Sequence, residues 1–110
     1  MTLKDIRDLY LSVLPDATFH YEAWQKTDQY IVWAEDGQGD TSHADDKMQD
    51  QVIQGTIDYF TKEEYDPNFD LIQRAMNDAE ISWELNSIQH EEDTGYIHYE
   101  WVWEVENSVG

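Results

Sequence analysis

The residues able to do chemistry are few and scattered. Four histidines, His20, His43, His90 and His98, are spread along 110 residues. A metalloprotease helix needs two histidines four apart beside a glutamate. His90-Glu91-Glu92 has no second histidine at that spacing, and His98 lies across a predicted turn. Pairing of two strands could bring His90 near His98, but histidines on strand surfaces are the plainer reading. Asp36, Asp40, Asp45 and Asp46 crowd one segment with Gly37 and Gly39. Calcium takes six to eight oxygens, and the alternating acidic pattern of a calcium loop is absent, so a solvated acidic loop is expected. Ser42 and His43 are adjacent with no Gly-x-Ser-x-Gly elbow around the serine. Five scattered glycines build neither a Walker loop nor a dinucleotide fingerprint. Glu91 and Glu92 sit in a predicted turn, where exposure leaves carboxylates unperturbed. No constellation points to an enzyme, a cofactor or a bound metal.

Charge restricts partners further. With 25 Asp and Glu against 6 Lys and Arg, the formal charge is −19. Six cations cannot neutralise a phosphate backbone, which argues against sequence-independent binding of nucleic acid. Anionic membrane surfaces are disfavoured for the same reason. Such charge usually accompanies disorder, but the chain is 14% aromatic and 40% hydrophobic, the composition of a chain that folds. The absence of cysteine excludes disulfides and thiolate zinc sites. The apolar runs are far too short to cross a bilayer. Met1-Thr2-Leu3-Lys4-Asp5 lacks the basic start and apolar stretch of a secretory signal, so an intracellular start is expected.

The elements that must position these side chains follow from hydrophobic spacing. Leu3, Ile6, Leu9, Tyr10 and Val13 predict a helix over 2–13, capped by Thr2 with Asp5 three residues on and ended by Pro15. Alternation over 17–23 predicts a strand, and Tyr30-Ile31-Val32-Trp33-Ala34 a second. Their short polar connection predicts a hairpin. Residues 36–47 predict an acidic, flexible loop. Residues 49–61 predict a long strand with Ile53, Gly55, Ile57 and Tyr59 on one face, where Gly55 marks a bulge or a close backbone approach. Asp66-Pro67 opens a second helix with Phe69, Ile72, Ala75, Met76 and Ala79 buried, ending near Asp78. Strands over 81–90 and 96–106 close the chain as a hairpin, with Ile97, Tyr99, Trp101, Trp103 and Val105 on one face. The order α-β-β-β-α-β-β predicts an α+β fold. It is a single domain over 1–110 with a mostly antiparallel sheet and both helices on one face. The aromatic rows, Trp83, Tyr99, Trp101 and Trp103, read as sheet core or a protein-contact surface rather than a base-stacking platform.

Taken along its length, the chain resembles the small tail-terminator (tail-completion, or neck) proteins of siphophages and prophages of Gram-positive bacteria. The resemblance runs from Met1-Thr2-Leu3-Lys4-Asp5-Ile6 through Tyr30-Ile31-Val32-Trp33-Ala34-Glu35-Asp36-Gly37. It continues in Val52-Ile53-Gln54-Gly55-Thr56-Ile57-Asp58-Tyr59-Phe60-Thr61-Lys62 and Glu64-Tyr65-Asp66-Pro67, and ends in the aromatic hairpin from Ile81-Ser82-Trp83 to Trp103-Glu104-Val105. It implies a structural virion protein without active site or cofactor. It implies a ring, typically a hexamer, at the head-proximal end of the tail tube. Such a ring stops tube polymerisation, mediates head–tail joining and lets DNA pass without specific binding. The implied partners are further copies of the chain, the major tail tube protein and the head–tail connector or stopper, first in the host cytoplasm and then in the virion neck. Loops on a rigid scaffold carry contacts, so the expected assembly contacts are Asp36, Asp40, Asp45, Asp46, Lys47, Lys62, Glu64 and Tyr65. A different class of function, an acidic DNA mimic that inhibits a DNA-binding enzyme, also fits the small size and charge. It requires carboxylates spaced like phosphates along one face.

Overall fold

The computed structural model describes residues 1–39 and 50–108. Along the chain run α1 (Leu3–Val13), β1 (Thr18–His20), β2 (Gln29–Gln38), β3 (Asp50–Thr61), α2 (Pro67–Asp78), β4 (Ser82–His90) and β5 (Ile97–Ser108). The five strands form one sheet in the order β1-β2-β3-β5-β4. All neighbours are antiparallel except β1 and β2. This is the expected α+β order with a mostly antiparallel sheet.

Both helices cover the same face, and period-two burial explains why. On β2 Ile31 and Trp33, on β3 Ile57 and Tyr59, and on β5 Trp101, Trp103 and Val105 share one core with Ile6 and Tyr10 of α1 and Ile72 and Met76 of α2. Each fully buried side chain of this size is worth about 1.5–3 kcal/mol of hydrophobic transfer. The helices begin at designed stops. The Thr2 hydroxyl accepts from Asp5 N–H while Asp5 Oδ2 accepts from Thr2 N–H at 2.8 Å, a complete capping box. At the far end of α2, Glu80 N–H reaches Asn77 O and Ile81 N–H reaches Met76 O. Glu80 takes there the left-handed conformation (φ 59°) that glycine usually supplies.

Three expectations are corrected. The strand foreseen over 17–23 stops at His20, because Tyr21 turns left-handed (φ 76°). The foreseen hairpin with the Tyr30–Ala34 segment does not form. Thr18, Phe19 and His20 pair in parallel with Ile31, Val32 and Trp33. The connecting residues 21–28 carry the chain back to the end from which β1 started, where the Tyr96 hydroxyl holds Thr27 O at 2.7 Å. Parallel strands normally need a longer crossover, so the short connection read as a hairpin. Finally, the segment assigned to a loop from Asp36 begins as strand. β2 extends to Gln38, with Asp36 in a bulge between Glu35 and Gly37, and Gly39 N–H bonds Val52 O.

Gly55 is the close approach its position suggested. A Cβ there would lie 2.2 Å from Ala34 O and 2.3 Å from Trp103 Cζ2, both fixed parts of the sheet and core. Gly55→Ala should therefore lower the unfolding free energy by about 1–3 kcal/mol through overpacking. A lower urea midpoint at unchanged slope is the expected reading.

Candidate functional site

The predicted contacts separate into two groups at opposite ends of the sheet. Asp36 is exposed in the β2 bulge. Lys62, Glu64 and Tyr65 are exposed in the turn between β3 and α2, beside Gln29 at the start of β2. Seven residue steps along β2, from Gln29 to Asp36, separate the ends, about 23 Å at the rise of an extended strand. Asp40, Asp45, Asp46 and Lys47, and with them most of the acidic segment, lie outside the described residues.

The turn is held from below by a carboxylate. Asp66 is 4% exposed, yet its charge is fully engaged. Its Oδ2 accepts from Tyr59 Oη at 2.5 Å, Thr61 Oγ1 at 2.6 Å and Gln29 Nε2 at 2.8 Å. Its Oδ1 caps α2 by accepting from Asn68 N–H at 2.8 Å. Burial alone would raise this carboxyl. The hydrogen bonds from Thr61, Tyr59, Asn68 and Gln29 outweigh it and hold Asp66 below its usual value. The residue before this anchor, Tyr65, is left-handed (φ 56°) and 96% exposed. A bulky side chain in that region is strained by about 1–2 kcal/mol. Beside it opens a groove lined by Phe69, Ile88, Ile97 and Tyr99, with Glu64 and Asp70 on its rim. Ile88 is 56% exposed.

The sheet face opposite the helices carries a second surface that sequence reading did not anticipate. Tyr30 and Phe60 stack with ring centroids 4.6 Å apart, and Phe60 and His98 stack at 4.2 Å. Tyr96 meets both Tyr30 and Phe60 edge-on, and Lys62 Nζ lies 4.9 Å over its ring. Trp24, 80% exposed, meets Phe19 edge-on. A cleft on this face is lined by Glu22, Lys26, Tyr30, Asp58, Phe60 and His98. Tyr30, Val32 and Phe60 could have signalled it, because their alternation sets apolar residues on the face that should be polar.

Two histidines find carboxylates. His98 Nε2 lies 2.7 Å from Asp58 Oδ1, a diagonal contact between β5 and β3, since His98 itself opposes Phe60 and Asp58 opposes Glu100. That hydrogen bond, opposed by burial and helped by the charges of Asp58, Glu100 and Glu91, raises the histidine above its usual 6.5. His20 is sandwiched between Trp33 at 3.9 Å and Tyr21 at 3.8 Å. Its Nε2 lies 2.7 Å from Glu35 Oε1, and the Tyr21 hydroxyl donates to Glu35 Oε2. Burial raises Glu35, but the bonds from Tyr21 and His20 prevail and lower it. Both oxygens of Glu35 are thus engaged in pinning the end of the short parallel strand. The suggested meeting of His90 with His98 does not occur in register: His90 opposes Ile97, and His98 opposes Gln89. Among the described residues no group of three or more His, Asp or Glu could hold a metal ion. No protein-family model matches the chain, and no curated protein matches it.

A raised histidine stabilises the fold while it is charged. The His98 contribution is complete below about pH 6.5 and is lost as pH rises through its higher folded value. Denaturant titrations between pH 6 and 9 should show stability falling with pH. His98→Gln should flatten that dependence, and an unchanged slope would remove His98 from it. For the buried anchor, Asp66→Ala should cost about 3–5 kcal/mol, because Gln29, Tyr59, Thr61 and the α2 N-terminus lose one shared acceptor. Thermal or urea unfolding measures it.

Proposed function

We propose that this chain is a structural phage tail protein, the tail-terminator subunit. In this reading it forms a ring, typically a hexamer, at the head-proximal end of the tail tube, stops tube polymerisation and joins tail to head. It acts without catalysis, cofactor or membrane. Its partners are neighbouring copies, the tail tube protein and the head–tail connector. The observation that carries the reading is Tyr65. A large aromatic side chain is held almost wholly in solvent, on strained backbone, by a turn locked to a buried carboxylate. Exposed tyrosines on rigid supports are suited to protein contacts, and strain at such a place is a pointer to function. The two contact groups at opposite sheet ends suit a subunit that meets one neighbour at each end. The resemblance along the sequence supplies the phage assignment itself.

The charge fits a lumen that DNA must cross. Carboxylates repel phosphates and let DNA slide past without adhesion. The same charge opposes association of free copies, more so at low salt. Free protein is therefore monomeric, and the ring assembles on the tube end. Sedimentation from 20 mM to 500 mM salt should show a monomer throughout the low range; a stable hexamer at low salt would overturn assembly on contact.

Replacing Tyr65 by glycine should leave the fold intact, or stabilise it by up to about 1 kcal/mol through relief of the left-handed tyrosine. The same change in the phage should give tails of uncontrolled length and unjoined heads. Normal joined tails from Tyr65→Gly would reject the role given to this turn. The DNA-mimic alternative draws on Asp58, Glu84 and Glu100, which share the face opposite the helices. Phe60, Tyr30 and Lys26 interrupt that row, which disfavours a phosphate-like array. Retention of a nuclease on immobilised protein, with normal tails from a deletion phage, would favour it.

A further inference from the structure

We propose that the outer edge of β4 is a strand-addition site for an extended segment of a partner protein in which apolar and basic residues alternate. The proposal does not depend on the tail-terminator reading. β4 pairs with β5 on one side and, among the described residues, with no strand on the other. Exposed edges are usually blunted by lysine, proline or dense charge. The nine residues Ser82–His90 contain no Lys or Pro and one charged group, Glu84, in a chain that is 28% charged. Their one protective feature is the bulge between Leu85 and Ser87. It breaks the edge into two short runs, which limits open-ended stacking but still admits a short strand.

The two sides of β4 specify what such a strand must carry. On the helix side Trp83, Leu85 and Ile88 oppose Trp103, Trp101 and Tyr99. Ile88, more than half exposed, continues into the groove with Phe69, Ile97 and Tyr65. An added strand would lay alternate apolar side chains along this row. On the opposite side lie Glu84 and, one strand inward, Glu100, whose Oε1 accepts from Asn86 Nδ2 at 2.6 Å. Side chains of the added strand on that side would meet carboxylates. Glu64 and Asp70 rim the groove on the helix side. With a net charge of −19 the chain repels a second copy of itself and attracts Lys and Arg. Backbone bonding gives such an interaction its affinity, and the alternating pockets give its specificity.

The probe is the synthetic peptide acetyl-Val-Lys-Val-Lys-Val-Lys-Val-Lys-amide. The control of equal charge and composition is acetyl-Val-Val-Val-Val-Lys-Lys-Lys-Lys-amide. Binding is followed by amide NMR shifts and hydrogen exchange. The expected result is slowed exchange confined to β4 amides, with at least fivefold tighter binding of the alternating peptide than of the block control. Glu84→Lys should weaken binding at least fivefold more than Asp8→Lys, an equal charge change on the exposed face of α1. Ile88→Glu should weaken it at least fivefold as well; both positions are exposed, so the variants fold. Three results would overturn the proposal. Glu84→Lys and Asp8→Lys could weaken binding equally, which is diffuse electrostatics. Protection could map to the opposite sheet face. Sedimentation could show a dimer lost on Ile88→Glu, which assigns the edge to a second copy.

Discussion

One carboxylate ties the two halves of the molecule together. Asp66 receives hydrogen bonds from Gln29 on β2, from Tyr59 and Thr61 on β3 and from the first turn of α2. Without it α2 would begin with unsatisfied N–H groups over a sheet whose tyrosine and threonine hydroxyls face an apolar core. With it, the axis of α2 is set relative to β3, and everything α2 covers follows. Phe69 lies against Tyr99 and Trp101, Gln73 accepts from the Trp101 indole and Asn77 from the Trp83 indole. The tryptophan-rich rows of β4 and β5 are therefore closed by a helix that also satisfies two of their polar atoms. α1 completes the layer through Tyr10, whose ring meets Trp33 edge-on and whose hydroxyl reaches the Met76 sulfur.

The same anchor explains the exposed turn. A strained tyrosine persists only where surrounding bonds over-determine the backbone, and the residue after Tyr65 is the carboxylate that four hydrogen bonds hold in place. Charge is arranged on the same logic. Carboxylates that enter the structure are engaged by hydroxyls, imidazoles or helix N–H groups, as at Glu35, Asp58 and Asp66. The remaining acids among the described residues lie toward the surface, where they are solvated and set the long-range field.

Much of this was legible from spacing. The α1 capping box, the Asp66-Pro67 start of α2 and the β5 row of aromatic residues each depend on neighbours a few residues away, and each stands where the sequence places it. Gly55 marked a close approach too, but its partners Ala34 and Trp103 are distant in the chain. The failures have one cause. The strand over 17–23, its pairing as a hairpin and the loop beginning at Asp36 all turned on contacts with distant residues. Tyr21 leaves the strand to stack on His20 and bond Glu35. Residues 36–38 stay extended because β3 lies beside them.

What the sequence alone determined is the set of elements, their order, their buried faces and the net charge. Periodicity and capping are local, and net charge is a sum, so both survive without coordinates. Only the tertiary structure decided that β1 runs parallel to β2, that Asp66 is buried and shared by three elements, and that β4 and β1 are the edges. It alone stacked Tyr30, Phe60 and His98 on the face away from the helices. Each of these is a pairing between segments far apart in the chain, and no local pattern encodes which strand an edge will meet.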